Sequence, residues 1–365
     1  MKIMFMIPNL CGGGAERVLV NLCNELSNKH DITIMSIFDE GENKDRINSK
    51  VQYKYIFRKK IPGLRIILKF ISLKSLINID DLRDYNVIIS FLEGVSTKIV
   101  GELECDCKKI AWIHSRITYD DIFKVYRNKE EFINTYLCYD YIISVSNDVK
   151  NNFLSYIPDL KNKMKVIHNI NNINAIKQMS NQSIDIHINE KYINAVVIGK
   201  ITNSKGVKRL IDVYIENVLL FSKLRIYFIG EGSELNKMQL LIDKHNLSNN
   251  IFFLGYKKNP YVYLKYMDFL ICPSYTEGLS TTVTEAMILG KAVLVTDCGG
   301  MHELLGENEY GYIVENSDEG LKTGLISFVN NRNLINFYAE KSQIRGRDFY
   351  TDKIIDSINK IINTL

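Results

Sequence analysis

Residues Asp268–Gly290 read DFLICPSYTEGLSTTVTEAMILG. The segment opens on a short apolar run, Phe269-Leu270-Ile271-Cys272, of a length that suits a buried strand. Pro273 and Ser274 break the run, and a polar loop follows. Thr281–Leu289 then reads as a helix that stops at Gly290. Strand, loop and helix N-terminus in that order make a phosphate-binding geometry, because unpaired backbone N–H groups and the positive end of the helix dipole face one point. Two carboxylates bracket that point, Glu277 before the helix and Glu285 within it. Carboxylates repel phosphate but accept hydrogen bonds from hydroxyls. The stretch therefore suits a ligand with both hydroxyls and phosphates, of which a nucleotide sugar is one. A plainer reading of Glu285 is a helix capping box, Thr282-Val283-Thr284-Glu285.

The chain has 365 residues, too many for one ordinary core and about right for two domains. Its net charge of +4 is mild, so nucleic acid is not indicated. Seven cysteines, an odd count without C-x-x-C, point to a reducing compartment. Cys105 and Cys107 form only C-x-C, with no histidine cluster to complete a metal site. The N-terminal MKIMFMIPNL reads as a first strand, its apolar part being too short for a signal sequence. No apolar run approaches the ~20 residues of a membrane span. The expected location is cytoplasmic, with a peripheral place at the inner face of the plasma membrane left open.

Ile3–Ile7 reads as a buried strand, followed by Gly12, Gly13 and Gly14. Val18, Leu19, Leu22 and Leu26 then recur at helical spacing. Glycines at a strand-to-helix turn let a ligand approach the backbone. The same loop offers a rival, a dinucleotide fingerprint with Gly12 and Gly14 as its first glycines and Asp39 as its ribose acid. Arg17 stands where the third glycine belongs. Residues 58–77 carry Arg58, Lys59, Lys60, Arg65, Lys69 and Lys74, and no acid until Asp80. Leu64, Ile67, Leu68, Ile71 and Leu76 fall largely on one helical face. A basic amphipathic helix in a membrane interface and an ordinary packed surface helix both fit. Tyr85–Phe91 and Lys109–Ile113 are further strands. His114 follows the second directly, where open α/β sheets bind ligands. Asp140–Val145 is another strand, and Ser146-Asn147-Asp148 after it caps a helix. Residues 171–192 are polar, Asn-rich and without period, and read as a linker.

A second strand–helix series begins at Ala195. Ala195–Ile198 leads into Gly199–Gly206, which carries Lys200 and Lys205. Leu224–Ile229 runs into Gly230-Glu231-Gly232, and Ile251–Gly255 is followed by Tyr256. Lys291–Thr296 precedes Asp297-Cys298-Gly299-Gly300, whose glycines permit a tight turn beside a ligand. From about Asp318 the chain reads as helical.

Glu277 and Glu285, within EGLSTTVTEAM and followed by GKAVLVTDCGG, resemble the E-x7-E signature of family 4 retaining glycosyltransferases. The likeness runs over nearly the whole chain. It implies the GT-B fold, two Rossmann-like doubly wound α/β domains facing each other across a cleft. These would be an acceptor-binding domain at 1–170 and a nucleotide-sugar domain at 193–345. The linker at 171–192 would join them, and a last helix at 346–365 would cross back to the first. It implies transfer of a hexose from a nucleoside-diphosphate sugar, UDP favoured, to a glycan or lipid-linked acceptor in cell-surface polysaccharide biosynthesis. The anomeric configuration would be retained, with no cofactor. The chain has no Asp-x-Asp, which disfavours a metal-dependent design.

By the same resemblance Gly13 and Gly14 would face the diphosphate and the acceptor, and His114 would lie close to the donor sugar. Lys200 and Lys205 would sit on the donor diphosphate. Lysine at 200 replaces the usual arginine, keeping the charge but losing the bidentate fork. Gly230, Gly232 and Tyr256 would border the nucleobase. Glu277 would hold the sugar's 3- and 4-hydroxyls and Glu285 the ribose. Gly278, Leu279, Ser280, Thr281 and Thr282 would line the donor between them. His114, Lys205 and Glu277 would be the catalytic set. The strand Lys165–Asn169 matches the family's crossover strand, with Ile170 where glycine is usual. The architecture also admits a nucleotide-sugar epimerase or a non-catalytic nucleotide-sugar-binding subunit.

Overall fold

A computed structural model of the chain describes residues 1–11, 13–63, 67, 82, 84–349 and 351–363. The chain forms two compact units, Met1–Ile170 with Asp352–Leu365, and Asn171–Thr351.

The first unit is built on seven parallel strands: β1 (Lys2–Ile7), β2 (Asp31–Phe38), β3 (Val51–Phe57), β4 (Val87–Phe91), β5 (Lys108–Ile113), β6 (Tyr141–Ser144) and β7 (Met164–Val166). They lie in the order β3-β2-β1-β4-β5-β6-β7. Helices cover both faces of such a sheet, so its central strands carry unbroken apolar runs rather than alternation. Ile3 to Ile7 and Val87 to Phe91 are accordingly buried at every position. The helix Gly14–Leu26 buries Val18, Leu19, Leu22 and Leu26, the side chains whose spacing marks it as helical. The last helix, Thr351–Asn363, buries Ile358 and Ile362. His30 Nε2 lies 3.1 Å from its Asn359 Oδ1.

The second unit repeats the design with β8 (Ile193–Ile198), β9 (Leu224–Ile229), β10 (Ile251–Phe253), β11 (Phe269–Cys272), β12 (Ala292–Thr296) and β13 (Tyr312–Val314). All pair in parallel, in the order β10-β9-β8-β11-β12-β13. Phe228, Phe269 and Phe328 fill its core. Each such side chain contributes about 1.5–3 kcal/mol on leaving water. The strand order reverses once in each sheet, between β1 and β4 and between β8 and β11. Loops leaving the carboxyl ends of such a strand pair run apart and open a crevice for ligands.

Two features differ from the sequence reading, the stretch 171–192 and the Cys105–Cys107 pair. Residues 171–192 are not an aperiodic linker: Asn172 caps a helix, Ile173–Ser180, that buries Ile176 and packs on the helices Tyr261–Tyr266 and Thr281–Ile288. Two turns are too short for a hydrophobic period to register. The chain beyond Arg332 is two helices, Arg332–Gly346 and Thr351–Asn363, and only the latter joins the first unit. Cys105 and Cys107 are joined as a disulfide, although the cysteine count points to reduced thiols. Their Cα atoms lie 5.2 Å apart, within disulfide reach. Most of the basic stretch 58–77 falls outside the described residues. Among the described residues no helix is long and apolar enough to cross a membrane.

Candidate active site

Two loops meet at the reversal point of the second sheet. After β8 the chain passes Gly199 and an exposed Lys200, makes the turn Asn203–Lys205, and reaches Gly206 at φ 67°. A Cβ on Gly206 would sit 1.8 Å from the Pro273 carbonyl oxygen, and side chains seldom adopt its left-handed backbone. Glycine there lets the Lys205 turn rest on the loop that follows β11. Lys205 Nζ is thereby 2.7 Å from Glu277 Oε1. From the β12 side, Gly299 at φ 52° approaches the same loop, where a Cβ would lie 1.9 Å from the Glu277 carbonyl oxygen. Gly300 N–H donates to Gly278 O at 3.1 Å.

The Glu277 side chain is only 10% exposed, and three donors converge on Oε1. They are Lys205 Nζ at 2.7 Å, Ser274 Oγ at 2.7 Å and Cys272 Sγ at 3.7 Å. Burial pushes the Cys272 thiol up to about 11, so it stays protonated and donates. Burial, the largest single effect, works against the charge on Lys205, but the charge and hydrogen bond of Glu277, together with the nearby Cys272 and Cys298, hold the lysine above its ordinary value. The pair is a charge-assisted hydrogen bond. With Oε1 saturated, the second carboxylate oxygen is left as an acceptor for a ligand hydroxyl.

The helix Thr281–Ile288 is capped by Ser280, whose hydroxyl accepts from Val283 N–H at 3.5 Å. Glu285 is therefore too deep in the helix to close a capping box. It turns inward instead, 3% exposed, and its Oε1 accepts from the Tyr261 hydroxyl at 3.0 Å. Among the described residues nothing accepts from the backbone N–H groups of Thr281 and Thr282, which remain at the open helix end. Leu279 and Ser280 are buried beside them. The turns after β9 and β10 border this edge. Ile201 N–H donates to Glu231 O at 2.9 Å, between Gly230 and Gly232. Gly230 N–H donates to Gly255 O at 2.9 Å, and Tyr256 beyond it is exposed.

The second unit thus brings Lys205, Glu277 and the N-terminus of the Glu285 helix to one reversal point, and Lys200 stands free in solvent nearby in sequence. The sequence reading missed Cys272, Ser274 and Tyr261. Ser274 carries a signal, since it stands three residues before Glu277 in the loop that the carboxylate must share. Tyr261 has none, being a contact between distant segments.

In the first unit Gly13 caps and Gly14 opens the helix Gly14–Leu26, and Gly12 lies outside the described residues. Asp39, the acid of the rival dinucleotide reading, is engaged by Lys44 Nζ at 2.8 Å and by the Tyr53 hydroxyl at 3.1 Å. His114 follows β5 with its ring 4.3 Å from that of Phe91. Burial pushes its pKa down to about 3, so the imidazole is neutral at physiological pH.

Two family models match the chain. The one described as Glycosyltransferase Family 4 matches residues 12–173, and the one described as Glycosyl transferases group 1 matches residues 178–345. The chain is 25% identical over 377 aligned positions, 97% of each protein, to the N-acetylgalactosamine-N,N'-diacetylbacillosaminyl-diphospho-undecaprenol 4-alpha-N-acetylgalactosaminyltransferase of Campylobacter jejuni. It is 34% identical to an uncharacterized glycosyltransferase of Methanocaldococcus jannaschii over 170 positions, 46% of this chain and 42% of that protein. Among solved structures, Anabaena HepE in complex with UDP and glucose superposes with a TM-score of 0.81 at 16% identity, covering 100% of both chains.

Proposed function

This chain belongs to the glycosyltransferases of GT-B fold, and from that premise we propose that it moves a hexose from a UDP-sugar to a glycan or lipid-linked acceptor, with retention and without a metal. The observation that carries the donor class is the pairing of Lys205 with Glu277 at 2.7 Å. A cation for phosphate and a carboxylate for hydroxyls stand side by side at a crevice. Glu277 takes hydroxyls of the sugar through the oxygen that Lys205 leaves unused. Glu285 takes the ribose hydroxyls. Lys205 and the N–H groups of Thr281 and Thr282 stabilise the leaving diphosphate as its charge grows. Lys200 adds a solvated point charge. The acceptor oxygen bonds to the anomeric carbon on the face from which the phosphate departs, and a phosphate oxygen takes the acceptor's proton. The Campylobacter relative is named for an acceptor on a diphospho-undecaprenol carrier, which supports a lipid-linked acceptor here.

Thermal melting against UDP-, GDP- and ADP-sugars, with and without a chelator, tests this reading. A UDP-sugar should raise the melting temperature by several degrees, equally with the chelator present, since stabilisation grows with ligand excess over its dissociation constant. Loss of the shift with the chelator would refute the metal-free site. A shift with a nicotinamide dinucleotide and none with any nucleotide sugar would overturn the donor class.

For His114 the proposed role is a neutral hydrogen-bonding group toward the donor sugar. A neutral imidazole between about pH 5 and 8 leaves no step of its own in the pH–rate profile. The turnover of the wild type should show no limb that His114→Ala removes. A limb near the ordinary histidine value of 6.5 that vanished in the variant would mean that the imidazole titrates during turnover.

A further inference from the structure

The first sheet has its own reversal point, between β1 and β4, and the chain leaves β4 there through Leu92-Glu93-Gly94. Leu92 has φ 87° and Gly94 φ 104°. A leucine seldom takes that backbone and keeps it only where its surroundings impose it. Two hydrogen bonds do so: Leu92 N–H donates to Trp112 O at 3.2 Å, and Thr97 Oγ1 donates to Leu92 O at 3.1 Å. The kink carries the Glu93 side chain across to the end of the neighbouring strand. There Glu93 Oε2 accepts from the His114 backbone N–H at 2.9 Å, and Oε1 accepts from the Ser115 hydroxyl. Both carboxylate oxygens are thus spent on the segment that carries His114. The imidazole lies against Phe91, the last residue of β4, and its Nε2 is buried with no partner among the described residues. Glu93 is half-buried, and the burial of its carboxyl raises its pKa.

We propose that Glu93 is the positioning residue for His114: its carboxylate ties the end of β5 to the end of β4 and so fixes the imidazole with Nε2 facing the carboxyl edge of the first sheet. This rests on the reading of His114 as a contact to the donor sugar. The tie needs two hydrogen-bonding oxygens in fixed places, and it needs no charge. Glutamine can supply it. Its carbonyl oxygen accepts from His114 N–H, and its amide donates to Ser115 Oγ, which accepts as readily as it donates. Alanine removes both bonds. A carboxylate that itself touched substrate as a base would behave in the opposite way, because glutamine cannot take a proton.

The test compares Glu93→Gln with Glu93→Ala by donor kinetics and by the ring resonances of isotopically labelled histidine, with the His114 signal assigned from His114→Ala. Phe91 shifts that signal through its ring current, so the signal reports ring placement whether or not the protein turns over. Glu93→Ala should move the resonance and lower kcat about 10-fold to 10²-fold, the range for a displaced active-site group, while the donor KM stays close to that of the wild type. Glu93→Gln should keep both the resonance and kcat near the wild type. A wild-type resonance and kcat in Glu93→Ala would overturn the proposal. So would a Glu93→Gln variant as damaged as Glu93→Ala. If His114→Ala turned over normally, the role of His114 toward the sugar would fail, and the ring resonance alone would still decide the tie.

Discussion

Lys205→Ala should lower turnover by about 10²-fold or more, the usual loss when one preorganised donor to developing charge is removed. In the proposed reaction the diphosphate gains negative charge as its bond to the sugar breaks, and Lys205, on the turn before Gly206, would be the ammonium at that point. The substitution also releases Glu277 from a partner at 2.7 Å. Ser274 and Cys272 still donate to the same oxygen, so the carboxylate keeps most of its orientation. The Lys205 side chain is 35% exposed, and solvent screens the pair from that side, so the fold tolerates the loss. The deficit should therefore appear in kcat with an unchanged circular dichroism spectrum. Lys205→Arg should recover only part of it, because a planar fork does not occupy the place of a compact ammonium. Turnover near that of the wild type in Lys205→Ala would remove Lys205 from the diphosphate.

Glu285→Gln should weaken binding of UDP by about 10-fold to 100-fold. Hydrogen bonds to a charged group contribute about 1.5–3 kcal/mol, and every 1.4 kcal/mol is a factor of ten in affinity. Glutamine keeps the shape of the buried side chain and can still accept from Tyr261, so the Thr281–Ile288 helix stays in place. What it would lose is the charge proposed to meet the ribose hydroxyls. Calorimetric titration with UDP measures this directly. Turnover at saturating donor should fall much less than affinity, because in the proposed reaction the ribose contact would be the same before and during transfer. Full affinity would put the ribose elsewhere.

Much of this architecture is legible in the residues. Phe269–Cys272 reads as a strand because a parallel strand covered on both faces has no polar side to interrupt it. Lys205 and Glu277 read as a site because each follows a strand at a glycine-bearing turn. The fate of Glu285 is less legible. One residue decides whether it closes a cap or enters the core, and the cap proves to be Ser280. Tyr261 on Glu285 and Glu93 on His114 are bonds between distant segments that only the folded sheets bring together. The Glu93 contact depends further on a leucine at φ 87°, a conformation that no local propensity favours. The helix Ile173–Ser180 escapes notice for a different reason, since its stability comes from two neighbouring helices and not from its own period.

The split composition of the first unit sets an order of events during synthesis. Its seven strands emerge early, yet the helix that buries Ile358 and Ile362 in it is made only after all of Asn171–Thr351. At roughly 5–20 residues per second, the second unit takes on the order of ten to forty seconds to translate. It is contiguous, so it can close on itself as soon as it leaves the ribosome. The first unit waits through that interval with an apolar seat uncovered, the kind of surface that recruits chaperones or neighbouring chains. Of the two units, the one begun earlier is thus the one completed later.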